Sequence, residues 1–279
     1  MRLVVDFEFE RGVLNWDYVN YLQGLVYRAL GEYNSGLARK IHDEGFAGGG
    51  KRFRLFTFSL LYPRVRPGVR GSGLEISGEV RWWFSSPVVG VVEALAGGLL
   101  GMEEVRVGPL RGRLVRIGVE PLPEFGTEAV FTTLSPVAAS TGEGVDEGGR
   151  FRRRFLGPED PEFFRVLAQN LWRKAEACGL SVGEGPVEFE PVGRFRSRLF
   201  TSHGVKVRCW QVTLRMRGPG PLLRLAYEAG LGERTAQGFG MLRHVGPARG
   251  PAVEKPEPDT ETGPVELRKE AVGNCDVGT

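Results

Sequence analysis

The chain has 279 residues, of which 25% are charged, and a formal net charge of +3; that length suits one large domain or two small ones. From Arg249 on there are four Lys/Arg and seven Asp/Glu, a net of −3, which leaves +6 on residues 1–248 and favours an anionic partner for the body of the chain. Three scattered cysteines without CxxC spacing, Cys178, Cys209 and Cys275, offer neither a zinc site nor a disulfide framework, and no apolar run reaches a membrane span, so a cytoplasmic protein without a membrane partner is expected.

The first element is a half-buried strand over residues 3–9, with Leu3, Val5, Phe7 and Phe9 on one side and Val4, Asp6 and Glu8 on the other. A helix follows, with Asn15 as its N-cap and Tyr18, Val19, Leu22, Leu25, Val26, Ala29 and Leu30 at helical spacing. A glycine-bearing connection leads to strands at 52–61 and 74–86, a short helix at 88–100 and a strand at 113–120. That order, βαββαβ, is the ferredoxin-like unit. The second half repeats it: a strand at 127–134, a helix opened by Asp160-Pro161 and closed by Gly179, strands near 186–199 and 204–216, a helix at 220–229 and a last strand at 238–245. The expected fold class is therefore α+β, two tandem ferredoxin-like (RRM-like) domains at residues 1–125 and 126–247. Residues 248–279, rich in Pro, Gly and acid, read as a disordered tail.

Only three histidines are available for acid/base work at neutral pH. His203 lies in a hairpin turn, "TSHGV", and His244 inside the last strand. His42 lies in "KIHDEGFAGGGKRFRLFTF", a loop followed by Lys51, Arg52 and Arg54. Tyr27 sits about 140° from the centre of the first helix's apolar face, an aromatic on the wrong side for the core. It is either a surface tyrosine or a phenol that meets the His42 loop. There is no HxxxH, no GxSxG and no GxxxxGK[ST], so metal ligation, a serine triad and NTP binding all lack a motif. What remains is acid/base chemistry with no metal and no cofactor, next to cationic charge. Phosphodiester transesterification on RNA fits that inventory.

Binding charge comes in three stretches. "GGRFRRRF" carries Arg152, Arg153 and Arg154. "GRFRSRLF" places Arg194, Arg196 and Arg198 on one strand face, and "GVKVRCW" places Lys206 and Arg208 on one face of its hairpin partner. Such a ribbon either tracks phosphates or is a solvated strand face. The arginine excess fits both phosphate contact and a GC-rich or thermophilic source.

Two motifs then carry a resemblance. "GLGERTAQGFGML" resembles the C-terminal glycine-rich signature of the CRISPR repeat-cleaving endoribonucleases, members of the RAMP superfamily. "IHDEGF…KRFRLFTFS" is similar to the stretch bearing that family's histidine. The resemblance implies metal-independent cleavage of CRISPR repeat RNA in the precursor transcript, with a 2′,3′-cyclic phosphate or 3′-phosphate and a 5′-hydroxyl as products. It implies His42 as general acid/base, Tyr27 as its assistant, and Lys51 or Arg52 as the cation that steadies the transition state. The glycine loop follows a helix and precedes a strand, the reverse of a phosphate-binding P-loop. It is expected to touch RNA through Gly232, Arg234, Gln237, Gly238, Phe239 and Gly240, while Gly230 ends the preceding helix. The alternative is a non-catalytic RAMP subunit that binds RNA within an interference complex. Participation in such a complex and homodimerisation both stay open.

Overall fold

Alternation in the first strand builds the first sheet. The computed structural model describes residues 1–246 apart from 72, 146–148, 150 and 184, and the side chains of 151 and 152 are also outside the description. The acidic tail therefore lies outside the described residues. β1 (Arg2–Asn15) buries Leu3, Val5, Phe7, Phe9 and Leu14. It runs past residue 9 because a bulge between Phe9 and Gly12 restores pairing beyond it. Asn15 thus ends the strand and does not cap the helix; its amide reaches the Tyr21 hydroxyl at 3.3 Å. α1 (Val19–Tyr33) buries the expected stripe from Val19 to Leu30.

The connection after α1 is more structured than its glycines suggest. It contains α2 (Ser35–Arg39), a π-helical turn over Lys40–Glu44, and a hairpin of β2 (Phe46–Gly48) and β3 (Lys51–Phe53). The strand expected at 52–61 is broken at Leu55, whose φ is +53°. Within that span only the end of β3 and β4 (Thr57–Phe58) are strand; β5 (Tyr62–Pro63) and β6 (Gly68–Arg70) follow, and β4, β5 and β6 all pair with β7 (Gly73–Ser85). α3 (Val89–Gly101), β8 (Val105–Val107) and β9 (Leu110–Glu120) complete the half. The sheet order β4-β7-β1-β9-β8 is antiparallel throughout and gives the ferredoxin-like arrangement.

The second half has β10 (Glu128–Thr133), a hairpin of β11 (Ser140–Val145) and β12 (Phe151–Phe155), and α4 (Pro161–Ala177). β13 (Glu188–Pro191), β14 (Arg196–Ser202), β15 (Val205–Gln211), β16 (Thr213–Arg217), α5 (Gly220–Ala229), a 3-10 turn at Thr235–Gln237 and β17 (Leu242–Val245) follow. Its sheet order, β13-β16-β10-β17, repeats that of the first half, so the chain is a tandem of ferredoxin-like folds. The two long strands expected between 186 and 216 are each split. β13 and β16 join the sheet, and β14 and β15 form a hairpin that leaves it. That hairpin sends Phe200, Val207 and Cys209 into the core of the first half.

One buried cation ties the halves together, and a second fixes the glycine-rich loop within the second half. Arg2 donates to the Tyr227 carbonyl at 2.6 Å and lies 3.4 Å over its ring. Lys174, only 1% exposed, donates to the carbonyls of Gly230 (2.8 Å) and Gly232 (2.9 Å) and so pins the glycine-rich loop to α4. Burial lowers the Lys174 pKa from its ordinary 10.5 to about 7. The unfolded chain binds that proton more tightly, so a folded-state penalty holds below pH 7 and fades as pH rises toward 10.5. The unfolding free energy of the wild type, relative to Lys174→Met, should therefore increase between pH 7 and pH 9 in denaturant titrations. A flat difference across that range would contradict a lowered pKa.

Candidate active site

A cleft of about 860 Å³ lies where the two halves meet, and both halves line it. One wall comes from the connection after α1. His42 sits in the middle of the π-helical turn, an irregularity that recurs at functional sites. Its side chain is 66% exposed, so a substrate can reach it. Nδ1 lies 2.7 Å from Asp43 Oδ1. That carboxylate fixes the ring and leaves Nε2 without a hydrogen bond among the described residues.

Tyr27 confirms the second of its two sequence readings. Its half-buried ring meets His42 edge-on, with centroids 5.1 Å apart, and backs onto Phe56 at 6.0 Å. Burial raises the Tyr27 pKa, opposed by the charge and hydrogen bond of Arg54. Arg54 also donates to the His42 carbonyl at 2.8 Å, which ties the turn to the phenol.

The three glycines before Lys51 have a specific job. Gly49 (φ +53°) and Gly50 (φ +71°) form the two-residue turn of the β2–β3 hairpin. Gly48 presses on α4 so closely that a Cβ there would overlap the Arg173 carbonyl oxygen. The Gly49 N–H donates to Glu176 at 2.8 Å. The hairpin is thus clamped to the second half, and Lys51, opposite Gly48, is delivered to the cleft. Lys51 has no hydrogen bond or ion pair among the described residues. Arg52 is committed, donating to the Glu44 carbonyl at 2.7 Å.

The glycine-rich loop forms the facing wall with Gly232, Arg234 and Gln237. Arg234, at φ +57°, donates to Gln237 Oε1 at 3.0 Å. Burial lowers its pKa, and the nearby Arg153 lowers it further. Arg153 lines the same cleft. The end of the motif does something else. Gly238, Phe239 and Gly240 are buried, and Phe239 is 0% exposed, packed on Phe200 at 6.0 Å. A Cβ on Gly240 would overlap the Leu231 carbonyl oxygen. These three residues hold the loop in place and present no surface to a ligand, contrary to their expected role.

The basic ribbon also does not form as expected. Arg194 precedes β14. In the hairpin register Arg198 pairs with Cys209 and Leu199 with Arg208. Arg196 and Arg198 therefore share the face of the buried Val207 and Cys209, while Lys206 and Arg208 lie on the other. None of the five lines the cleft. Arg154 is engaged with Asp160 (2.9 Å), Glu162 (3.5 Å) and Glu143 (3.8 Å). The Arg152 side chain lies outside the described residues.

Sequence reasoning missed several cleft residues, His203, Asn170 and Lys174 among them. His203 occupies the β14–β15 turn with φ +48°, and its Nε2 lies 2.7 Å from Gln23 Oε1 on α1. Asn170 and Lys174 share the buried face of α4 with Phe163, Leu167 and Leu171. A lysine and an asparagine on an otherwise apolar stripe are the signal that marks them. His244, by contrast, packs on Phe125 and Phe131, and burial lowers its pKa. Among the described residues no group of three or more His, Cys, Asp or Glu is placed to hold a metal ion, and no helix is long and apolar enough to cross a membrane.

Known proteins share this design. Residues 13–116 match the family described as CRISPR-associated protein Cas6, N-terminal, and residues 120–244 match CRISPR associated protein Cas6, C-terminal. The CRISPR-associated endoribonuclease Cas6 of Pyrococcus furiosus is 29% identical over 272 residues, 96% of this chain and 97% of its own length. CRISPR-associated endoribonuclease Cas6 1 of Methanocaldococcus jannaschii is 29% identical over 235 residues, 84% of this chain and 88% of its own. A solved structure of an RAMP protein binding different RNA substrates superposes with a TM-score of 0.77 at 25% identity, covering 88% of this chain and 99% of that one. With both of its halves matched, and with full-length relatives aligned across nearly all of it, the chain belongs to the CRISPR-associated Cas6 protein family.

Proposed function

We propose that this chain is an endoribonuclease that cuts CRISPR repeat RNA in the precursor transcript without a metal ion. One observation carries the reading: His42, Tyr27 and the unpaired Lys51 share one wall of a cleft whose other wall is the glycine-rich loop with Arg234 and Arg153. In this reading residues 1–125 form the domain that cuts, and residues 126–247 the domain that grips.

The chemistry follows from what each group can do. A base removes the proton of the ribose 2′-hydroxyl, the 2′-oxygen attacks the adjacent phosphorus, and the 5′-oxygen leaves with a proton. The products are a 2′,3′-cyclic phosphate, which can open to a 3′-phosphate, and a 5′-hydroxyl. His42 exchanges these protons through Nε2 while Asp43 holds Nδ1. Tyr27, with its pKa raised by burial, stays protonated at neutral pH and serves as a hydrogen-bond donor beside the imidazole. Lys51 offsets the charge that builds on the pentacoordinate phosphorus. Arg153, Arg234 and Gln237 hold the RNA backbone.

His42→Ala should slow cleavage of repeat RNA in EDTA by about 10²–10⁴-fold with binding retained, as followed by gel-resolved cleavage and a binding titration. A 2′-deoxy nucleotide at the scissile position should block wild-type cutting and spare binding. If the His42→Ala variant cuts at the wild-type rate, the assignment fails, and if the wild type binds without cutting, the non-catalytic reading takes over.

The same assay separates the two neighbouring cations. Lys51→Ala should lower the single-turnover rate at saturating RNA by about 10²–10³-fold, whereas Arg52→Ala, which only loosens the Glu44 carbonyl contact, should cost far less. The opposite order would move the transition-state role to Arg52.

A further inference from the structure

Asn170 is a polar side chain with nothing to do in the free protein. It is 5% exposed, it lines the cleft one helical turn before Lys174, and its Oδ1 is buried without a hydrogen bond to any described residue. Buried amide groups are nearly always satisfied, and an unsatisfied one destabilises the fold that carries it. The neighbouring charge is already allotted: Lys174 serves the loop carbonyls, and Lys51, Arg153 and Arg234 face the cleft as cations.

Resting on the endoribonuclease reading, we propose that Asn170 reads the edge of one nucleobase of the bound RNA and is a specificity-determining residue of the cleft. A carboxamide offers a donor and an acceptor side by side. A phosphate accepts only and would leave the buried Oδ1 orphaned, whereas a base edge with adjacent donor and acceptor, as adenine presents, satisfies both ends. Single-stranded RNA is read in this way when a base is splayed into a pocket. A base seated there lies against the glycine loop that Lys174 holds in place.

The test uses the full chain and repeat RNA made uncleavable by a 2′-deoxy scissile nucleotide, in a panel substituted at each position in turn. Wild type should discriminate at one position by about 5- to 100-fold, and in Asn170→Leu that discrimination should collapse while the penalties at other positions persist. Asn170→Ala, which adds no bulk, is scored beside it. Free of RNA, Asn170→Leu should melt at or above the wild-type temperature, because it removes an unsatisfied amide. An unchanged discrimination profile, or equal weakening across the whole panel as expected for a backbone contact, would overturn the assignment. So would a drop in melting temperature with the profile intact. Wild type that ignores repeat RNA altogether would instead sink the endoribonuclease reading and this inference with it.

Discussion

Lys174 is the interaction on which the glycine-rich loop depends. Its amine is buried between two carbonyls that lie at the end of α5 and the start of the loop, Gly230 and Gly232. Helix C-termini leave carbonyls without partners, and here the missing donors come from another helix rather than from the following chain. The consequence reaches further than one cap. With Gly230 and Gly232 fixed to α4, the next residues, Glu233 to Gln237, are set at the mouth of the cleft. Glu233 N–H bonds the Ala138 carbonyl and Gly240 N–H that of Pro136, so the loop is closed at its far end by the second half's own backbone.

α4 organises the other wall as well. The β2–β3 hairpin that presents Lys51 lies on the C-terminal turns of this helix, through Gly48 against Arg173 and the Gly49 N–H on Glu176. A cation from the first half is thus positioned by a helix of the second. Neither half alone holds the complete arrangement. The traffic runs in both directions: Phe200 and Phe239 from the second half are buried in the first half's core, and Thr57 of the first donates to the Phe239 carbonyl at 3.1 Å. The cleft is the seam between two halves that pack into each other, and its lining comes from groups far apart in sequence.

Much of this was legible in the sequence, and the exceptions share a cause. Period-2 alternation located β1 and β7, and helical spacing located α1, because burial on one face dictates those patterns. His42, Tyr27 and Lys51 are brought to one cleft. The failures come where long-range contact overrides local pattern. Asn15 has the chemistry of a cap but is held in a strand by pairing with Gly73. "RFRLFTFSLL" has the composition of one strand but breaks at Leu55, where φ is +53°, ahead of the core residues Phe56 and Phe58. Residues of the β14–β15 hairpin alternate as a basic ribbon would, yet the register puts Arg196 and Arg198 of β14 on one face and Lys206 and Arg208 of β15 on the other. Phe239 looks like a stacking platform beside glycines, and it is a core residue for which the glycines make room. His203 reads as a turn residue, which it is. That the turn faces α1 is set by the docking of the hairpin and by nothing within "TSHGV".

The residues that the fold tolerates least comfortably cluster in the cleft. A lysine whose pKa has dropped to about 7, an asparagine with no partner and two side chains at positive φ, His203 and Arg234, all line it. Around Asp6 the fold satisfies a buried charge conventionally. Asp6 deep in the first sheet accepts from both Arg81 and Arg116, whose hydrogen bonds hold its carboxyl below the usual range. The contrast separates two uses of buried polarity. Around Asp6 the protein completes its own hydrogen bonds and gains a fixed register between three strands. In the cleft it leaves donors and acceptors open at a cost in stability, and such a cost is offset only when something else supplies the missing partners. An RNA strand has the chemistry to do so, with its phosphates for Lys51, Arg153 and Arg234 and a base edge for Asn170.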